Sequence, residues 1–228
     1  MVINTSSYKN FQTGMYRRCS ISGDRGAAAG YEGDCYPALA PKKEFWKVWH
    51  DNIGVIPEEE NTRYYIEEYY KQVLSKLDPD KVYRDLSYST LLCYEDPEDF
   101  CHRHVVAAWF NLLLGDSIQP VREIAIQDGK ITHLDDCSSR YEEILEDVIR
   151  KNEKMCGFTS VRARYLFDKG EQLEALADEK EANDPGKCYD SLRQSACFLR
   201  CDADMAEDEY KEKQRMKAKG VKKNDKKC

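Results

Sequence analysis

The stretch that most constrains the fold is Leu91-Leu92-Cys93-Tyr94-Glu95, which after a short acidic loop runs into Phe100-Cys101-His102-Arg103-His104-Val105-Val106-Ala107-Ala108-Trp109. Leu91 and Leu92 are adjacent, so both faces of the first segment are apolar, as in a central parallel strand covered on each side. The second segment continues with Val105, Val106, Trp109, Leu112 and Leu113 at helical spacing, and Gly115 is a suitable stop. Strand feeding helix is the unit of open α/β sheets, whose ligands bind outside the carboxyl ends of the strands. Two thiols, two imidazoles, a carboxylate and a guanidinium fall at this junction.

The flanking sequence extends the pattern. Met1 to Thr5 and Arg17 to Ser22 read as short strands, the second ending in the turn-forming Gly23-Asp24-Arg25-Gly26. Phe45, Trp46, Val48 and Trp49 mark a short helix after Pro41. Ile66, Tyr69, Tyr70, Val73, Leu74 and Leu77 place a longer helix over Glu58 to Leu77, its opening acids suited to a helix N-terminus. Val121 to Ile126 and Ile131 to Leu134 flank Asp128-Gly129, a hairpin turn signal. Tyr141, Ile144, Leu145, Val148 and Ile149 form one more apolar stripe. This order predicts an α/β fold: Rossmann-like, a mostly parallel sheet with helices on both faces, over residues 1–155. Residues 156–228 predict an α-helical C-terminal extension, interrupted near Asp184-Pro185-Gly186, with too few large apolar residues to hold a core alone.

Composition narrows the class. With 41% hydrophobic and 34% charged residues, no run of roughly 18 apolar residues and no signal-peptide pattern at the start, the expected compartment is the cytoplasm, without a membrane partner. Ten cysteines in a chain this long, at irregular spacing, read as reduced thiols rather than a disulfide framework. The net charge of −7 resides before the extension, where lysines and arginines balance acids. An acidic body repels nucleic-acid phosphates. Only the basic stretch Lys211 to Cys228 offers weak nucleic-acid contact, and its last residues are expected to fray.

The junction supports several chemistries. If Asp99 is the N-cap, Cys101 and His102 lie in the first turn, where free N–H groups bind anions and the positive helix end lowers a thiol pKa. If Asp96 caps, with Pro97 first in the helix, Cys101 falls in the second turn and feels little. Under the anion-site reading Cys101 is the nucleophile, His102 the acid, base or orienting donor, Glu95 positions a polar group, and Arg103 clamps a phosphate or carboxylate beside Cys93. Ser20, Ser22 and Arg25, with Tyr8 at the end of the first strand, line the opposite wall. Cys93 and Cys101 could also form a redox pair if their Cα atoms come within about 7 Å. The Cys-to-Arg spacing does not suit a cysteine-dependent phosphatase. Zinc on Cys93, Cys101, His102 and His104 is disfavoured because adjacent Cys101 and His102 do not readily chelate one tetrahedral ion, so no metal and no cofactor is assigned. The bland alternative makes both cysteines small buried hydrophobes and pairs Arg103 with Glu95 to brace the turn.

Leu91-Leu92-Cys93-Tyr94-Glu95 with Phe100-Cys101-His102-Arg103 resembles the Cys-x-Glu and Cys-His-Arg signature of the bacterial and phage proteins grouped as domain of unknown function 488. Thr5-Ser6-Ser7-Tyr8, Ser20-Ile21-Ser22-Gly23-Asp24 and Leu39-Ala40-Pro41-Lys42 are similar to N-terminal segments of one branch. The resemblance spans about residues 1–150 and implies a compact α/β domain with a pocket around these motifs. It brings no established reaction. Where many members have Asp-Val-Arg after an early strand, this chain has Ser22 to Arg25, so a shared substrate is not implied.

Two functional expectations follow. The first is a small-molecule enzyme or sensor binding an anionic or nucleotide-like ligand between Cys93 and Arg103, with Cys101, His102 and Arg103 in an open pocket. The second is a non-enzymatic interaction protein that buries those residues and meets a protein partner through residues 156–228.

Overall fold

The computed structural model describes residues 2–11, 17–134 and 138–224; Met1, with which the first expected strand began, and the last four residues of the basic tail lie outside them. The chain divides into two compact units, Met1–Glu153 and Lys154–Cys228.

The first unit is built on a six-stranded sheet. Its strands are β1 (Asn4–Ser7), β2 (Arg17–Ser20), β3 (Asp34–Cys35), β4 (Ser89–Cys93), β5 (Arg122–Gln127) and β6 (Lys130–His133), in the order β3-β2-β4-β1-β5-β6. All neighbouring pairs are parallel except the β5–β6 hairpin. That hairpin turns through Asp128 and Gly129, both at positive φ (51° and 71°), as its two-residue loop requires. β4 is central and every one of its residues is buried, which is what the adjacent leucines implied. The α/β class with a mostly parallel sheet is therefore the observed one.

Register fixes the site. Ser7 stands level with Cys93 and Ser20 with Leu92, so β1, β2 and β4 end side by side. Backbone bonds carry the pairing one residue further, from Tyr8 N–H to the Cys93 carbonyl (3.0 Å) and from Ile21 N–H to the Leu92 carbonyl (3.2 Å).

The helices of this unit are α1 (Lys43–Asp51), α2 (Glu58–Gln72), α3 (Pro79–Asp85), α4 (His102–Leu114) and α5 (Ser139–Asn152). α2 stops five residues short of the expected Leu77, because Val73 leaves helical geometry (φ −125°, ψ −69°) and a 3-10 turn follows. α3 was not anticipated. Asp78 caps it by accepting from Asp80 N–H at 3.0 Å, with Pro79 in the first helical position where its missing N–H costs nothing. α4 is buried from His102 through Phe110 and ends at Gly115 (φ 48°).

The second unit is a helical hairpin, α6 (Val161–Asn183) and α7 (Asp190–Asn224). Its seam is made of small residues: Ala163, Gly170 and Ala177 are buried on α6, and Ala196, Ala203 and Ala206 on α7. A Cβ on Gly170 would sit 3.0 Å from the Ala196 carbonyl oxygen, so the glycine sets the close approach. Arg193 and Arg200 bridge the two helices to Asp178, Glu181, Glu171 and Glu174. Among the described residues no helix is long and apolar enough to cross a membrane.

Candidate functional site

Cys93 is the last residue of β4, and the acidic loop that follows closes a turn in which Asp99 N–H donates to the Asp96 carbonyl (3.1 Å). Neither Asp96 nor Asp99 caps α4. The N-cap is Cys101, held extended at φ −144° and ψ 142°, and His102 is the first helical residue. The Asp96 carboxylate is taken by Lys9 at 2.7 Å, and Asp99 enters the turn through its backbone N–H. The change of backbone direction between Cys101 and His102 folds both side chains back toward Cys93.

A tight cluster results. Glu95 Oε2 lies 3.2 Å from Cys93 Sγ and 2.9 Å from Cys101 Sγ, while His102 Nδ1 lies 3.6 Å and 3.8 Å from the same sulfurs. His102 Nε2 is 3.0 Å from the Ile21 carbonyl oxygen. A carbonyl only accepts, so Nε2 carries a proton and Nδ1 is the atom that meets the sulfurs. The adjacency of Cys101 and His102, expected to keep their donor atoms apart, instead brings them together.

Electrostatics divide the roles of the four groups. Burial raises the Cys93 thiol well above its ordinary range, reinforced by Cys101. Burial acts the same way on Cys101, but a hydrogen bond from Cys93 and the positive charges of Arg103 and His102 outweigh it, so that thiol is lowered well below its ordinary range. Burial disfavours a charged His102, yet the charge and hydrogen bond of Cys101 raise it. Burial first, then Cys101, push Glu95 up to about 7. A lowered thiol beside a raised imidazole is the pairing that activates cysteine nucleophiles.

Arg103 takes another direction. Its guanidinium is fully buried against Glu123 of β5, with Nη2 to Oε1 at 2.9 Å and Nε to both oxygens at 3.2 Å. His104 Nε2 stands 3.3 Å from the same carboxylate and Thr5 donates to it at 2.5 Å. Burial opposes the charge of Glu123, but His104 and Arg103 hold its pKa below the ordinary value. Both expectations for Arg103 are thereby corrected. Its guanidinium faces Glu123 inside the core rather than Glu95 or an open pocket, and Nη1 is left without a hydrogen-bond partner.

Beside the thiols, the ends of β1 and β2 make a hydroxyl cluster. Tyr8 OH is 2.6 Å from Ser20 Oγ and 3.0 Å from Ser22 Oγ, and Ser22 passes a bond to Asp24 at 2.9 Å. Asp24 also accepts from Tyr94 OH at 2.5 Å and from the Gly26 and Ala28 N–H groups, which outweigh burial and lower it to about 2. Gly26 (φ 84°) lets Tyr8 approach, since a Cβ there would lie 2.7 Å from Tyr8 OH. Tyr8, Ser20 and Ser22 are thus gathered as expected. Arg25 is not: it is an exposed turn residue at φ 60°.

The family model DUF488-N3a, described as the active DUF488-N3 subclade, matches residues 10–113. That segment is similar to the DUF488 family. The match takes in the Ser20–Asp24 motif, the segment ending at Lys42, and the Cys93, Glu95, Cys101, His102 and Arg103 positions; Thr5 and Glu123 lie outside it. Neither the curated proteins nor the solved structures give a match to the chain.

The DUF488 segment also walls a cavity of about 490 Å³, lined by Trp49, Ile53, Gly54, Ile56, Glu58, Asn61, Thr62, Glu95, Asp99 and Phe100. Cys93, Cys101 and His102 are buried behind this wall and are not the open pocket expected of them. Half-buried Glu95 belongs to both places, since it lines the cavity and bonds both sulfurs. Sequence reasoning missed Glu123, Asp24, Tyr94 and the Trp49–Phe100 wall. Only Glu123 left a trace, as a charged residue directly before the apolar run Ile124-Ala125-Ile126 of β5.

Proposed function

We propose that the strand ends of the DUF488 segment form a small-molecule site in which Cys101 attacks an electrophilic carbon of a ligand bound in the cavity. The observation that carries this reading is the position of Glu95, which bridges the cavity to both sulfurs. In the step, the Cys101 sulfur forms a bond to the ligand carbon, the bond to the leaving group breaks with its electron pair, and the Glu95 carboxyl supplies the proton that group needs. Water then hydrolyses the adduct: its hydroxyl passes to the ligand carbon, its remaining proton returns to Glu95, and the Cys101 sulfur leaves as the thiolate it began as. His102, fixed by the Ile21 carbonyl, orients and balances the sulfur.

The cavity lining favours a ligand class other than the anion expected from the sequence. Its charged lining residues are the acids Glu58, Glu95 and Asp99, and its flat walls are Trp49 and Phe100. Such a lining repels a bare phosphate and favours a neutral or cationic planar group, a nucleobase or an amine-bearing ring. The test is competitive labelling of the full chain with haloacetamides bearing a cationic aromatic group against haloacetate, read by peptide mapping. Cys101 is expected to react several-fold faster with the aromatic cation, and Ile56→Trp, which narrows the cavity, to remove that preference. Equal rates for both reagents, or labelling confined to the exposed cysteines, would refute the reading.

A second reading has its own observation. Phe198, Met205 and Met216 are exposed on α7 at spacings that place them on one helix face. An unpaired apolar stripe of this kind favours a protein partner for the helical unit. Substituting all three by Ser should leave cysteine labelling in the DUF488 segment untouched and abolish any self-association or partner capture seen by sedimentation.

A further inference from the structure

We infer that Cys93, Cys101 and His102 form a binding site for a zinc-class divalent ion, with Glu95 as the exchangeable fourth donor on the cavity side. Four observations support it. The two sulfurs and Nδ1 lie within 4.8 Å of one another. The sulfur-to-nitrogen distances of 3.6 Å and 3.8 Å match the roughly 3.6 Å separation that tetrahedral zinc, with Zn–S near 2.3 Å and Zn–N near 2.0–2.1 Å, imposes on its ligands. His102 donates Nε2–H to a backbone carbonyl, the arrangement that fixes the tautomer and ring orientation of metal-ligating histidines and leaves Nδ1 as the ligand atom. Glu95 Oε2 already touches both sulfurs, 3.2 Å and 2.9 Å away, and needs only a few tenths of an ångström of outward movement to take a tetrahedral corner.

The donor chemistry selects the ion. Two thiols and an imidazole are soft to borderline ligands that favour zinc over magnesium or calcium. As the Zn–S bonds form, each thiol still protonated releases its proton to solvent, so two thiolate charges neutralise the ion inside the buried cluster. Three protein donors with a fourth position facing a cavity is the pattern of sites that exchange a ligand, in contrast to closed structural sites. A molecule in the cavity would meet the ion where Glu95 yields.

This inference rests on the same cluster as the nucleophile reading but not on that reading, since a sulfur bound to zinc is not free to attack. The experiment keeps the two apart. The whole 228-residue chain, stripped with a chelator, is titrated with Co²⁺ and then Zn²⁺. One equivalent of cobalt is expected to give sulfur-to-cobalt charge-transfer absorption and d–d bands of tetrahedral intensity, which one equivalent of zinc erases. In the unmutated chain zinc should protect Cys93 and Cys101 from iodoacetamide, a readout that needs no variant to fold. Cys93→Ser and Cys101→Ser should each lose the charge-transfer band, whereas a chain with Cys188, Cys197 and Cys201 replaced by Ser keeps it. Absence of the band, or a band that disappears with the Cys197 and Cys201 substitutions, overturns the inference. Cobalt binding with an inert metal-free Cys101 sinks the nucleophile reading alone; a reactive Cys101 with no cobalt site sinks this inference alone.

Discussion

Consecutive residues of α4 serve two carboxylates in opposite ways. Arg103 and His104 close on Glu123, where a full positive charge meets a full negative one, every contact is buried, and the carboxyl stays below its ordinary pKa. His102 faces Glu95, whose partners are two thiols, whose carboxyl is raised to about 7, and whose other side lines a cavity. The first group is balanced and sealed, which is how a buried charge is retained for structure. The second holds protons that can move and has a route to the outside, which is what chemistry needs. A single residue step along α4 therefore separates scaffold from site, and the arginine that the sequence made most attractive as a ligand clamp falls on the scaffold side.

The contrast breaks most visibly at Glu123. Glu123→Ala leaves Arg103 charged and unpaired in the core and should cost about 3–5 kcal/mol, read as a drop in the urea midpoint. Removing both charges, Arg103→Met with Glu123→Leu, should recover a large part of that loss. If the double variant is no better than the sum of its parts, the pair is not the closed ionic unit described.

A third carboxylate calibrates the scale. Glu207 of α7 accepts from the Thr159 and Ser160 N–H groups at 3.0 and 2.8 Å just before α6, and also from the Thr159 hydroxyl. Burial opposes its charge, but those hydrogen bonds and Lys211 bring its pKa down to about 2. Its folded value lies below the unfolded value of about 4.3, so its contribution is complete above roughly pH 5 and is lost as pH falls toward 2. Glu207→Gln should destabilise the helical hairpin by about 1.5–3 kcal/mol at neutral pH and flatten the acid limb of its unfolding profile, followed by circular dichroism. An unchanged acid limb would show that Glu207 is not the titrating group.

The smallest stability effect is expected at Glu95. Glu95→Gln keeps the shape and removes only a proton-sharing contact at a half-buried position, so the urea midpoint should move by no more than about 1 kcal/mol. The labelling rate of Cys101 should change several-fold. A loss of stability as large as that of Glu123→Ala would erase the distinction between the two clusters.

How much of this was legible depended on the range of the interaction. β4 and α4 could be read because a continuous apolar run and a helical stripe are local patterns. The hairpin at Asp128-Gly129 was legible for the same reason. α3 was missed although Asp78-Pro79 is a proper cap and start, because so short a helix shows little periodicity. The α6–α7 seam was underrated because its alanines and Gly170 were not counted as core; close backbone approach lets small side chains bury well. At the site, Cys93, Glu95, Cys101 and His102 were found by residue type, and the structure brings them together. The cap at Cys101 was misjudged because the α4 N-cap falls two residues after Asp99, while Asp96, a better cap in isolation, is committed to Lys9 and the Asp99 N–H to the preceding turn. Glu123 as the partner of Arg103 was beyond reach, since nothing local announces a pairing across 20 positions.

The most direct measurement is iodoacetamide labelling of the metal-free native chain, resolved at every cysteine and compared with the rate of global unfolding under the same conditions. The account requires Cys101 to label well faster than the protein unfolds, with Glu95→Gln altering that rate and Cys19, buried in β2 with its thiol pushed up to about 11, staying protected. If Cys101 and Cys19 label together and only as fast as the chain unfolds, the Glu95 cluster is core like the Glu123 cluster, and the contrast between them fails.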